Sequence, residues 1–199
     1  MLVMGNFDQT TATRIFDATT LIPKSVTHEE LPKIQVPRGD FVMQVLLPNE
    51  HQLNSAIAVY LETYNTLDYT ALTISKLLEW MLDNFAFNYL RKEKNLGYHV
   101  DAKTLDFGTH GGIVIRVQSH LAPVLLEPHI ETMLKYFITH VCAMPPNDLQ
   151  TQINSYLTSL TRRRKDFLHH VAYYWDAILT RRYDFNKGNL KKQLTLTSR

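Results

Sequence analysis

A change of period near residue 97 constrains this chain more than any other feature. Upstream, Ile74, Leu77, Leu78, Met81, Leu82, Phe85 and Tyr89 recur at helical spacing and share one face. Downstream, the Tyr98 to Leu105 segment and the Ile113 to Ser119 segment read as strands, the second alternating Ile113, Ile115 and Val117 with Val114, Arg116 and Gln118. Gly108, Gly111 and Gly112 fall in the hairpin between the two. A long helix that runs directly into a hairpin has to bury its stripe on a sheet. The joint between them is Arg91-Lys92-Glu93-Lys94-Asn95-Leu96-Gly97-Tyr98, with Gly97 ending the helical segment in a turn. An arginine can grip a substrate carbonyl, and a tyrosine hydroxyl can donate to an oxyanion. A helix end followed by a strand would hold both groups in fixed positions. The plainer reading stands beside this one: Arg91 as a cation on a helix C-terminal dipole, Tyr98 as a half-buried strand residue.

The remaining elements follow from the same rules. Leu2-Val3-Met4 reads as a strand ending at Gly5, and Asp8 caps a helix over about 9–20. Pro23, Pro32 and Pro37 punctuate an extended connection. Phe41 to Leu47 and Ser55 to Thr63 read as strands about the turn Pro48-Asn49-Glu50. In the second, Ile57, Val59 and Leu61 alternate with Ala56, Ala58 and Tyr60, and the alanines leave room for a helix on their face. Asp68 caps the long helix. Pro128 suits a first helical position, ahead of a stripe of Ile130, Met133, Leu134, Phe137, Ile138 and Val141. Pro145-Pro146 breaks that helix, and Asn147 or Asp148 caps one lined by Leu149, Ile153, Tyr156, Leu157 and Leu160. A last helical stretch carries Phe167, Leu168, Val171, Trp175 and Ile178. The expected class is α+β: a split β-α-β-β-α-β-β sandwich, with a mostly antiparallel sheet and helices packed on one face. It is expected to form a single domain over 1–199, with a helical C-terminal subregion over about 127–199.

Composition narrows the choice of partners. In 199 residues, 45% are hydrophobic, enough for a packed core, and a formal charge of +2 is too weak to argue for nucleic acid or membrane surfaces, so neither is expected as a partner. The one cysteine, Cys142, leaves no internal disulfide and fits a reducing compartment; its place on an apolar stripe reads as a buried small hydrophobe. No secretory leader and no membrane-length apolar run are present, so a soluble, cytoplasmic protein is expected. The chain starts on a strand pattern without a lead-in, as a piece of a larger architecture would.

The histidines are His28, His51, His99, His110, His120, His129, His140, His169 and His170. None opens a His-x-x-Glu-His, and Pro32 stands where His28-Glu29 would need its partner. Two helical histidines and a distant glutamate make a zinc-hydrolase site, and no such set is spelled here. Arg162-Arg163-Arg164-Lys165, joined by Arg181-Arg182 and Lys191-Lys192, reads as a solvated face or as an anion-binding patch. Gly108-Thr109-His110-Gly111-Gly112 lacks the strand-loop-helix context and the lysine of a phosphate loop. Trp175 with Tyr173 and Tyr174 reads as core and edge packing.

Two separated blocks resemble the insulysin, nardilysin and pitrilysin family of inverzincin peptidases. One is Leu90-Arg91 with Leu96-Gly97-Tyr98; the other is Tyr174-Trp175, Ile178, Tyr183, Phe185 and Asn189. Val3-Met4-Gly5-Asn6 is similar to the strand that opens the family's last domain, and Asn95 stands where glutamine is common. The resemblance implies a metallopeptidase LuxS/MPP-like fold and the C-terminal, non-catalytic portion of a zinc metalloendopeptidase. Such a portion closes the substrate chamber, with Arg91 and Tyr98 as substrate-binding residues and Tyr98 as the oxyanion donor in trans. It implies no metal in this chain, zinc in a complementary N-terminal half or catalytic subunit, and a peptide substrate. It also implies no hydrolysis by this chain alone. The alternative is a catalytically inactive scaffold or binding subunit that kept the fold.

Overall fold

Asp68 starts a long helix as expected: its backbone is extended, and its carboxylate accepts from the Thr70 and Ala71 N–H groups at 2.9 and 3.1 Å. Those donors have no partner within the helix's own first turn. In this computed structural model the described residues are 2–19, 39–46, 53–65, 68–107, 110–161 and 166–179, with Tyr183, Phe185, Gly188, Lys191, Leu194 and Thr195. Their elements are α1 (Gln9–Thr19), β1 (Ser55–Asn65), α2 (Tyr69–Ala86), β2 (His99–Asp106), β3 (His110–Ser119), α3 (Pro123–Cys142), α4 (Pro146–Thr161) and α5 (Phe167–Leu179). Helix α2 continues without a break into a π-helical segment, Phe87–Glu93. The chain divides into two compact units, Met1–Lys33 with Arg163–Gly188, and Ile34–Arg162 with Asn189–Arg199.

The second unit holds the sheet. Its strand order is β1-β3-β2 with both pairings antiparallel. Helix α2 therefore connects the two outer strands, which run parallel, across the central one. Register sets Val59, Ile115 and Ala102 side by side, then Ile57, Val117 and Val100. This face meets Leu77, Met81, Leu82 and Ala86 of α2, Leu90 of the π segment, Leu126, Ile130, Met133 and Phe137 of α3, and Ile153 and Tyr156 of α4. Ile115, Ala102 and Met133 are completely buried. The helices thus pack on the Ile57, Val59 and Leu61 side; the alanines lie on the opposite face.

One row of polar side chains on α2 ties down both outer strands. Ser75, Glu79 and Asp83 follow at four-residue steps and share a ridge. The Ser75 hydroxyl donates to Thr63 Oγ1 on β1 at 2.9 Å. Thr104 Oγ1 of β2 donates to Glu79, which also accepts from Lys76 at 3.2 Å. Asp83 Oδ1 accepts the Ala102 N–H of β2 at 2.9 Å. That N–H belongs to an outer strand and has no neighbour in the ladder, so a side chain satisfies it.

Several expectations change. Leu2-Val3-Met4 and Phe41 to Leu46 show no strand, and Leu47 lies outside the described residues. Alternation makes a strand eligible, but only a ladder partner makes it one, and Val42 and Met43 stay about nine-tenths exposed, at 91% and 87%. The described sheet has three strands; the class is α+β, in its simpler form. Gly111 and Gly112 lie inside β3 rather than in the turn. The register shifts between Glu62 and Tyr64, and a Cβ on Gly112 would sit 2.1 Å from the Leu61 carbonyl oxygen. Pro128 is an interior residue of α3, which starts at Pro123. Ile74, Ile138 and Cys142 are exposed although they lie on helical stripes; each stripe is wider than the surface it covers. No helix among the described residues is long and apolar enough to cross a membrane.

In the first unit, Asp8 Oδ1 accepts the Thr11 N–H at 2.8 Å and starts α1 as expected. Tyr173 and Tyr174 meet edge-on at 5.4 Å between centroids, and Tyr174 packs on Phe185 at 6.0 Å, while Trp175 is 46% exposed.

Gly112→Ala forces β1 and β3 apart at the bulge. The expected cost is about 1–3 kcal/mol, the usual range for overpacking, read as a lower denaturation midpoint in urea. An unchanged midpoint contradicts the close approach.

Candidate functional site at the helix to strand joint

The joint is built by an unusual helix ending. The Lys94 N–H donates to the Tyr89 carbonyl at 3.0 Å, a five-residue step, and the Leu96 N–H donates to the Leu90 carbonyl at 2.9 Å. The second bond is one residue wider than an ordinary Schellman closure. Asn95 takes the left-handed conformation that closes it, with φ of 52°. Asparagine tolerates that region better than most residues. The left-handed residue is thus Asn95 and not Gly97.

Gly97 serves another purpose. A Cβ there would lie 2.9 Å from both the Gln118 carbonyl oxygen and Val117 Cγ1. Leu96-Gly97 is therefore pressed against the end of β3, an approach that only glycine permits. The Tyr98 N–H donates to the Gln118 carbonyl at 3.2 Å. The hydroxyl of Ser119, completely buried, donates to the Leu96 carbonyl and accepts the Leu121 N–H at 3.1 Å. Arg91 Nη1 donates to the Gly97 carbonyl at 2.6 Å. Two neighbouring carbonyls and the next amide are all held. From this fixed backbone the Tyr98 side chain stands half exposed, at 50%. Arg91 thus bonds to the peptide unit that joins Gly97 to Tyr98, and part of the arginine is spent on its own loop.

Two lysines of the joint turn to aromatic rings. Lys92 lies over Phe87 and Lys94 over Tyr89, at 5.5 and 5.4 Å to the centroids.

The sheet face away from the helices is polar beside Tyr98. His99, Asp101 and Lys103 alternate along β2, and register sets Arg116 of β3 opposite Asp101. Arg116 Nε donates to Asp101 Oδ1 at 3.0 Å and Nη2 donates to Oδ2, a bidentate pair. His99 Nε2 is 3.5 Å from the same carboxylate. The hydrogen bond from Arg116 holds the Asp101 carboxyl below the usual aspartate range, against partial burial that pushes it up. Neither Ser119 nor this pair carries a local signal in the sequence. Only register reveals the pair, since Asp101 and Arg116 lie on different strands.

The other expected features separate from the joint. Arg162, Arg163, Arg164 and Lys165 lie outside the described residues, as do Arg181, Arg182 and Lys192. Among the described residues, no three histidine, cysteine, aspartate or glutamate side chains gather as a metal site.

Residues 77–175 match the family described as PQQ synthase PqqF-like, C-terminal lobe domain 4. This match and the curated relatives make the chain similar to the C-terminal domains of insulinase-family peptidases. The mug138 protein of Schizosaccharomyces pombe, provisionally described as a zinc protease, is 25% identical over 99% of this chain and 21% of its own length. Insulin-degrading enzyme of Bos taurus is 27% identical over 96% of this chain and 19% of its own. The A-factor-processing enzyme of Saccharomyces cerevisiae is 26% identical over 97% of this chain and 19% of its own. The chain therefore spans about a fifth of the length of these curated relatives. The crystal structure of pitrilysin shares the fold, with a TM-score of 0.57 and 22% identity over 73% of this chain and 16% of that one.

Pairing with Arg116 carries a pH signature. The folded pKa of Asp101 is depressed, so its contribution to stability is present above the ordinary aspartate value of about 4 and is lost as pH falls through the folded value. Asp101→Asn is expected to flatten the fall of unfolding free energy below about pH 4. An unaltered acid limb in that variant contradicts the pairing.

Proposed function

We propose that this chain completes the substrate chamber of an insulysin-type zinc metalloendopeptidase. It presents Arg91 and Tyr98 to the peptide, while zinc and its general base are held in a complementary N-terminal half. The observation that carries the reading is Tyr98: a half-exposed phenol that follows Gly97, whose two flanking peptide units are both held. A donor aimed at a developing charge is effective when it does not have to reorganise, and a pinned backbone meets that condition. The likeness to C-terminal domains of peptidases supports the same reading.

In this reading the Tyr98 hydroxyl donates a hydrogen bond to the oxygen of the scissile carbonyl as that carbon becomes tetrahedral. Arg91 spends one of its donors on Gly97 and offers others to a backbone carbonyl of the bound peptide. The chain binds and orients; zinc, when bound in the other half, supplies the activated water. A cytoplasmic setting and a single functional domain over 1–199 belong to the same proposal.

The test is reconstitution with the zinc-bearing half and a fluorogenic peptide. Hydrolysis is expected only on mixing. Tyr98→Phe is expected to lower kcat by about 10²–10³, the loss typical for one oxyanion donor, with a smaller rise in KM. Arg91→Ala is expected to raise KM as well. Normal kcat in Tyr98→Phe contradicts the oxyanion role, and a stable complex that never hydrolyses peptide favours a scaffold.

A further inference from the structure

The described residues contain three fully buried polar side chains, Thr73, Ser75 and Ser119. Thr73 Oγ1 returns to the Tyr69 carbonyl of its own helix at 2.7 Å, and Ser75 ties helix to strand. Ser119 does neither. Its hydroxyl accepts the Leu121 N–H in a local turn at the end of β3 and donates to the distant Leu96 carbonyl ahead of Tyr98, so it joins two segments. The residue before it, Gln118, takes the Tyr98 N–H. The last two residues of β3 thus straddle Gly97, one holding the peptide unit before it and the other the unit after it. The close approach that makes this geometry reachable is the one that excludes a Cβ from Gly97.

We propose that Ser119 is a positioning residue for Tyr98: its buried hydroxyl fixes the Leu96-Gly97 peptide plane, and through it the direction in which the phenol enters the substrate chamber. The proposal rests on the reading of Tyr98 given above. Its physical basis is the cost of an unpaired buried group. Without the hydroxyl, the Leu96 carbonyl loses a donor and the Leu121 N–H loses an acceptor, beside a residue that is itself completely buried. The loop relieves that cost by turning, and Tyr98 turns with it. Arg91 holds the Gly97 carbonyl from the helix side, so the loop does not dissolve; it loses one of its two anchors. A loop with one anchor samples several directions of the phenol, of which one is productive. Peptide binding elsewhere in the chamber is untouched, so the loss falls on turnover rather than on affinity.

The experiment is a double-mutant cycle in the reconstituted peptidase with an internally quenched peptide. Ser119→Ala is expected to lower kcat about fivefold, the effect of one net hydrogen bond, with KM unchanged. In a Tyr98→Phe background the same change is expected to lower kcat no further, because there is no donor left to misdirect. A merely structural serine would lower kcat by the same factor in both backgrounds, and that result overturns the proposal, as does full kcat in a folded Ser119→Ala variant. If Ser119→Ala does not fold, Ser119→Cys, with a weaker donor of similar volume, takes its place with the same expected pattern. Amide hydrogen exchange on the chain alone separates this proposal from the reading beneath it. Faster exchange at Tyr98 in the serine variant supports the anchor even where Tyr98→Phe leaves kcat intact, and unchanged exchange there removes the anchor whatever Tyr98 does.

Discussion

The approach of Gly97 to the end of β3 is the contact on which the joint depends. With any side chain at 97, the Gln118 carbonyl and the Val117 side chain would have to move. With glycine, Tyr98 can bond to Gln118, Ser119 can reach Leu96, and Arg91 can close over the Gly97 carbonyl. The helix has to end correctly for this to happen. The π-helical segment adds a residue to the last turn, and Asn95 in the left-handed region reverses the chain. Such insertions in helices recur at functional sites, because they re-aim side chains without unwinding the element.

Rigidity at the joint is inherited from the sheet beneath it. Ser75, Glu79 and Asp83 form one ridge that fastens α2 to β1 and then to β2. On the adjoining surface of the same helix, Leu77, Met81 and Leu82 enter the apolar core with Ile115, Ala102 and Met133. The apolar contacts give most of the stability, as burial does generally. The polar ridge sets direction, because each bond has one geometry. Tyr98 stands one residue ahead of β2, a strand held by α2 on one side and by β3 on the other.

The sequence disclosed the period change, the Asp8 and Asp68 caps, the α+β class and the flanking positions of Arg91 and Tyr98, since each follows from spacing along the chain. It concealed whatever depends on pairing between distant segments. Phe41 to Leu46 has the residues of a strand but no ladder, and alternation cannot tell the two apart. Gly112 looked like a hairpin glycine until the β1 bulge opposite it came into view. Helix ends favour glycine in the closing turn, yet Asn95 does that work here and Gly97 serves a contact 21 residues away in sequence, at Gln118. Ser119 carried no local signal, as a serine at a strand end is ordinary until its partners are known. Family resemblance supplies what periodicity cannot, a reason to prefer the functional reading of Arg91 and Tyr98 over the plain one.

In this account a small rigid joint serves a site whose metal lies in another part of the assembly. The division is physically sensible: a hydrogen-bond donor needs only direction, which a helix to strand joint supplies, whereas a metal needs several convergent ligands, which the described residues do not assemble. The most direct measurement is photo-crosslinking from position 98. A benzophenone amino acid is placed there instead of Tyr98, the chain is joined to its zinc-bearing half, and a non-cleavable peptide substrate analogue is bound and irradiated. The expected result is a covalent adduct between this chain and the peptide that competing substrate suppresses. Irradiation that leaves the peptide unattached, in a complex shown to bind it, contradicts the account.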